Sequence, residues 1–256
     1  MARPKKPQPP GDLSNPILMD NGGTIVAPSV IKIGLRSGGV ILITPEAVDV
    51  SQLTLNDIAY GLANIQRFQG QLDRPYSDGE HSIILSELCG EDYNQAIASL
   101  FHDCGETLGA GDVNTYLKTE EAREIEMRIC DAVFEKFKIP PFVRHDLDKA
   151  LGNYEACTIH PAKGHFGTAE PLPVRYRHYR SVSDCAEAWK TLYSVLLDSR
   201  EFSQLPIPVG GLRPNVPFSI QDLYSRHPGI LPSAVKKALE LNPTIWSAGG
   251  ENYVLQ

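Results

Sequence analysis

Apolar residues recur along this chain mostly at helical spacing. The first stripe is Leu55, Ile58, Ala59, Leu62 and Ile65, steps of three and four residues that turn one helical face inward. Thr54 stands before it with Asp57 three residues on, the pattern of a capping box. Gly70 and Pro75 stop this helix and place Arg67 and Gln71 on a loop. Further stripes are Ile84, Leu85 and Leu88; Ala96, Ile97, Leu100 and Phe101; Ala122, Ile125, Ile129, Val133 and Phe137; and Ala186, Trp189, Leu192, Val195 and Leu196. Between the last two, PFVRHDLDKALGNYEACTI predicts one more helix with Val143, Leu147, Ala150 and Leu151 as its apolar positions. The β signal is confined to residues 24–44, where β-branched runs flank Ser37-Gly38-Gly39 and predict a two-stranded hairpin. The expected fold is therefore mainly α, a helical bundle preceded by a small N-terminal β-hairpin.

Three regions follow from this pattern. Residues 1–23 begin Pro- and Lys-rich and read as a disordered tail. Residues 24–202 hold the ribbon and the helices, and residues 203–256 form a Pro-rich extension in which SIQDLYSRHPGILPSAVKKALELNP predicts two short helices. Within the middle region, residues 160–183 lack periodicity; His160, His165 and His178 are assigned to loop or solvent, and the cluster from Arg175 to Arg180 to the surface.

Composition narrows the picture only modestly. A net charge of −7 argues against a nucleic-acid polymer as partner, and no apolar run approaches the roughly 18 residues of a membrane span. The N-terminus lacks the apolar core of a secretory signal. Cys89, Cys104, Cys130, Cys157 and Cys185 show no paired spacing and read as reduced residues of a cytoplasmic protein.

The chemistry concentrates between Gly79 and Asp112: His81, the adjacent pair His102-Asp103, Glu106 and Asp112. Neighbours on a helix point about 100° apart, so His102 and Asp103 can share one metal only at a helix end or in a tight groove. Imidazoles with carboxylates suit a divalent metal with open positions. On spacing alone a metal site and a set of satisfied core residues are equally open.

YSDGEHSIILS followed by ASLFHDCGETLGAGD resembles the HD-domain metal-dependent phosphohydrolases. The likeness is greatest to the branch of bacterial 5'-deoxynucleotidases and phage-encoded deoxynucleotide (dATP-type) triphosphohydrolases, and it runs from about residue 35 to residue 200. The resemblance implies that His81, His102, Asp103 and Asp148 hold a divalent ion (Zn, Mn, Co or Mg). Asp148 is preferred to Asp146 because Glu155-Ala156 follows it in the family register. It also implies substrate contacts for Arg67, Gln71 and Lys118, and proton handling or water orientation by Glu106 or Asp112. Many relatives carry His at the position of Gln71. The implied reaction is hydrolysis of the 5' phosphoester of a deoxynucleotide, either dNTP to deoxynucleoside and triphosphate or dNMP to deoxynucleoside and phosphate. A homo-oligomer is implied by resemblance alone. The alternative from another class is a non-catalytic nucleotide-binding or regulatory protein on the same scaffold.

Overall fold

The computed structural model describes residues 18–19, 25–26, 30–109, 111, 113, 117–204, 217–219, 221, 223, 225, 229–241, 245–249 and 252–255. Asp112 and nearly all of the N-terminal tail lie outside these. The fold is mainly helical with a small antiparallel sheet near the N-terminus, as the periodicity predicts.

Strands β1 (Leu18–Met19) and β2 (Ile25–Val26) pair with each other. The larger N-terminal sheet has the order β3-β4-β5, with β3 at Ile31–Gly34, β4 at Val40–Ile43 and β5 at Val48–Asp49. The predicted turn joins β3 to β4, and Gly38 adopts the φ of +90° that the turn requires. The sheet has one strand more than a hairpin, because residues 44–47 reverse the chain and Thr44 ties the turn to Ala47.

Helix α1 (Leu55–Asn64) carries the predicted capping box. Asp57 also accepts from the Ser37 amide and hydroxyl at 2.8 and 2.9 Å, so one carboxylate fastens the hairpin turn to the helix start. Helix α2 (Asp78–Leu88) is the hub, buried from Asp78 through Ser86. The chain pattern predicts an amphipathic helix there. Its small polar residues Ser82 and Ser86 are buried as well, because α1, α3, α6 and α7 surround it. Helix α3 (Tyr93–Phe101) and the short α4 (Cys104–Leu108) follow, then α5 (Glu120–Phe137), α6 (His145–Thr158) and α7 (Val182–Gln204). Helix α6 starts four residues later than Pro141, leaving Val143 60 % exposed; Ala150 too faces outward. Phe101, Trp189 and Tyr193 pack edge-to-face at the centre of the core.

In the C-terminal extension, α8 (Pro232–Leu241) lays Ala234, Val235, Ala238 and Leu239 against α7 and the core. Strands β6 (Pro217–Ser219), β7 (Ile245–Gly249) and β8 (Asn252–Leu255) form a sheet of order β6-β8-β7, which the apolar pattern does not predict. Among the described residues no helix is long and apolar enough to cross a membrane.

Candidate metal centre

His102 and Asp103 fall at the break between α3 and α4. His102 is the C-cap of one helix and Asp103, at φ −95° and ψ 13°, is the N-cap of the next. The bend lets adjacent side chains aim at one point, which a continuous helix forbids. Helix α4 then continues through Gly105, where an added Cβ would lie 2.6 Å from the Glu126 carbonyl oxygen and 2.8 Å from Cys130 Sγ. Glycine thus allows the close approach of α4 to α5. It also brings Glu106 to the same cluster, since ligand atoms of Asp78, Asp103 and Glu106 lie within 4.8 Å of one another.

His81 projects from the buried face of α2 and His102 from the end of α3, with ring centroids 5.4 Å apart. Ligand atoms of His81, His102 and Asp103 also lie within 4.8 Å of one another. Asp148, one turn into α6, sets Oδ1 3.0 Å from His81 Nε2 and 3.6 Å from His102 Nε2. All four residues implied as ligands therefore converge. Asp146 is instead exposed and paired with Arg144.

The imidazoles are oriented from behind. His81 Nδ1 lies 2.7 Å from Glu155 Oε1, and His102 Nδ1 lies 2.8 Å from the Ser99 carbonyl. In both rings Nδ1 is thereby the donor and Nε2 faces the cluster, the arrangement of metal-bound histidines. His102 Nε2 stands 3.0 Å from Asp103 Oδ2, yet the alignment makes no hydrogen bond, so a buried nitrogen is left unsatisfied. Such an orphan is costly unless a ligand meets it. These donors fit a divalent cation: they are His and carboxylate groups that could bind a metal ion.

Charge supports the same fit. Arg67, on a 3-10 turn at Arg67–Gly70, pairs through Nε with Glu155 at 3.1 Å and through Nη1 with Asp78 at 3.3 Å and Asp103 at 3.8 Å. Lys118 sits 2.5 Å from Glu106 and 2.9 Å from Glu126. These two cations face more carboxylates than they can neutralise. Burial pulls the His102 imidazolium down, but Asp103 and Asp148 outweigh it and hold its pKa well above the usual value. For His81, burial and the Arg67 charge pull down, and Glu155 with Asp148 raise it more. Burial pushes the Asp103 carboxyl up, while His102, His81 and Arg67 bring it to about 2. Asp148 likewise ends well below the ordinary carboxylate range, held by His102 and His81 against burial.

A cavity of about 1070 Å³ opens over the cluster, lined by Arg67, Gln71, Asp103, Glu106 and Asp148 among others. Lys118 is committed to its two glutamates rather than turned into this space. Glu155, Tyr76 and Asp78 also adjoin the cluster, and the sequence pattern does not single them out. Glu155 is fully buried and also accepts from the Tyr76 hydroxyl at 2.6 Å. Only the register of Glu155 after Asp148 hinted at it. His160, assigned to a loop, lies in one and also lines the cavity.

No family model matches the chain. It is 31% identical over 98 residues to the uncharacterized protein YfdR of Escherichia coli (strain K12), covering 38% of this chain and 53% of that protein. It is 31% identical over 122 residues to an uncharacterized protein of Rhodobacter capsulatus, covering 43% of this chain and 59% of the other. The chain thus spans somewhat over half the length of the curated relatives it matches.

Proposed function

We propose that the protein is a metal-dependent phosphohydrolase that cleaves the 5' phosphoester of deoxynucleotides. The observation that carries this reading is the convergence of His81, His102, Asp103 and Asp148, with His102 Nε2 buried and unsatisfied at its centre. His81, His102, Asp103 and Asp148 would hold the ion, of the Zn, Mn, Co or Mg class. When bound, it supplies Lewis-acid polarisation of a phosphoryl oxygen and acidifies water.

The chain's own groups do the rest. Arg67 is fixed on two sides by Glu155 and Asp78 and borders the cavity, so a planar multi-donor cation is pre-positioned for phosphate. Glu106 lies beside Asp103 and is held by Lys118, which places a carboxylate to orient water or carry a proton. Lys118 acts on substrate only through Glu106. Asp112 is the second candidate for proton handling by resemblance.

The test is product analysis. Metal-stripped protein is incubated with each dNMP and dNTP, with and without Mn, Co, Zn or Mg, and phosphate is resolved from triphosphate. Metal-dependent deoxynucleoside with either product supports the reading and chooses its branch. Tight nucleotide binding with no product under any metal would establish the non-catalytic alternative instead.

A further inference from the structure

We propose that His160 and Phe166, with Phe68 beside them, form a stacking platform for the nucleobase of the substrate. This rests on the phosphohydrolase reading and specifies how the non-reacting half of the nucleotide is held. The platform lines the same cavity as Arg67, Asp103 and Asp148. Its rings meet edge-to-face: Phe68 and His160 centroids are 5.4 Å apart, and His160 and Phe166 5.0 Å.

Phe166 is 45% exposed, and it is the one aromatic among the markedly exposed large hydrophobic residues described. An aromatic ring left half uncovered on the wall of this cavity offers its face to a flat partner. The segment carrying it is built rather than loose. Residues 160–166 close on themselves through Lys163 N–H to His160 O, His165 N–H to Ala162 O and Phe166 N–H to Lys163 O. The Ala162 amide donates to His160 Nδ1 at 3.0 Å, which fixes that ring and leaves Nε2 as its free donor in the neutral form. Cys157 Sγ reaches the Phe166 carbonyl at 3.6 Å and ties the turn to α6, the helix that carries Asp148.

Phe68 adds a second link between the two ends of the site. It and Gln69 adopt φ of +56° and +51°, a left-handed conformation that strains a non-glycine residue. That turn sets Phe68 against His160 while its preceding residue, Arg67, faces the carboxylate cluster. One strained segment therefore contributes to the phosphate end and the ring end together. The cavity volume of about 1070 Å³ is ample for a nucleotide. Stacking on aromatic rings tolerates every base, so the platform selects for the presence of a base rather than its identity.

The test compares a non-hydrolysable deoxyadenosine 5'-phosphonate with the same deoxyribose phosphonate lacking the base, by calorimetry on the full chain loaded with Mn. Stacking predicts that the base tightens binding about 5- to 150-fold. Phe166→Ala combined with His160→Ala should erase that difference while the baseless ligand binds as to wild type, and Phe166→Tyr should preserve it. Both residues lie on an exposed turn, and far-UV circular dichroism checks that the variants fold. Equal affinity of the two ligands for wild type, or a preference that survives the double substitution, overturns the platform and leaves the phosphohydrolase reading in place. Binding of neither ligand, with no turnover of deoxynucleotides, overturns both.

Discussion

Glu155→Gln separates what holds the site from what holds the fold. The Glu155 carboxylate accepts from the Tyr76 hydroxyl and faces His81 Nδ1 with Oε1, and accepts from Arg67 Nε with Oε2. All three neighbours are donors in this arrangement. Gln keeps the shape but replaces one acceptor by an NH₂ group, so one donor pair must face each other in a fully buried place. Removing one partner of a buried ion pair costs about 3–5 kcal/mol. Asp78 stays on Arg67 Nη1, so the expected loss is near 3 kcal/mol at the low end of that range. For a chain of this size it corresponds to a fall in Tm of roughly 6–12 °C. The same substitution removes the negative charge behind His81 Nδ1, and loss of a carboxylate behind a metal-ligating histidine weakens metal binding about 10- to 100-fold. Thermal unfolding without metal reads the first effect, and calorimetric titration with Mn or Zn below the new Tm reads the second. A lowered Tm with wild-type metal affinity would refute the claim that Glu155 orients His81 for a metal.

Three further outcomes are expected. For Asp57, burial pushes the carboxyl up, but hydrogen bonds from Thr54 and Ser37 outweigh it and hold its pKa below the usual value. Its contribution is therefore present above the unfolded value of about 3.9 and is lost as pH falls through the lower folded value. Asp57→Asn should cost about 1 kcal/mol in urea titrations at neutral pH, and the gap to wild type should close in acid; a constant gap would contradict the capping role. Gly105→Ala places a Cβ against the Glu126 carbonyl, which cannot move aside like a side-chain tip, so despite better helix propensity it should lower stability by about 1–3 kcal/mol and slow turnover by displacing Glu106. Unchanged urea midpoint and rate would mean that α4 and α5 separate freely. Metal affinity should rise with pH through about 6.5 and beyond, because both histidines are raised above that ordinary value and bind protons that the cation must displace; calorimetry in buffers of different ionisation enthalpy counts those protons, and a flat profile would oppose histidine ligation.

The apolar stripes were enough to locate α1, α5 and α7, since each has a wet face and a dry face. Helix α2 hid its role because Gly79, Ser82 and Ser86 look solvent-facing by composition and are buried only when helices close on every side. His81, His102 and Asp103 stand out by residue type and spacing, and Asp148 by the family register. The Glu155 contacts to His81 and Tyr76 join residues 74 and 79 positions apart, and no local period carries that information. The brief β5 and the C-terminal sheet share this difficulty: short strands take their identity from partners distant in the chain. The aromatic wall was concealed for another reason. Residues 160–166 have no helical or strand period, and only their short turn hydrogen bonds bring His160 and Phe166 to the cavity.

The central claim is that four side chains from α2, the α3–α4 junction and α6 hold one divalent ion that turnover requires. It is tested most directly by measuring metal content and deoxynucleotide hydrolysis together in wild type and His102→Ala after equilibration with Mn and desalting. About one bound ion per chain in wild type, with both ion and hydrolysis lost in a His102→Ala protein whose circular dichroism is unchanged, is the predicted result. Full metal occupancy and full activity in His102→Ala would contradict it.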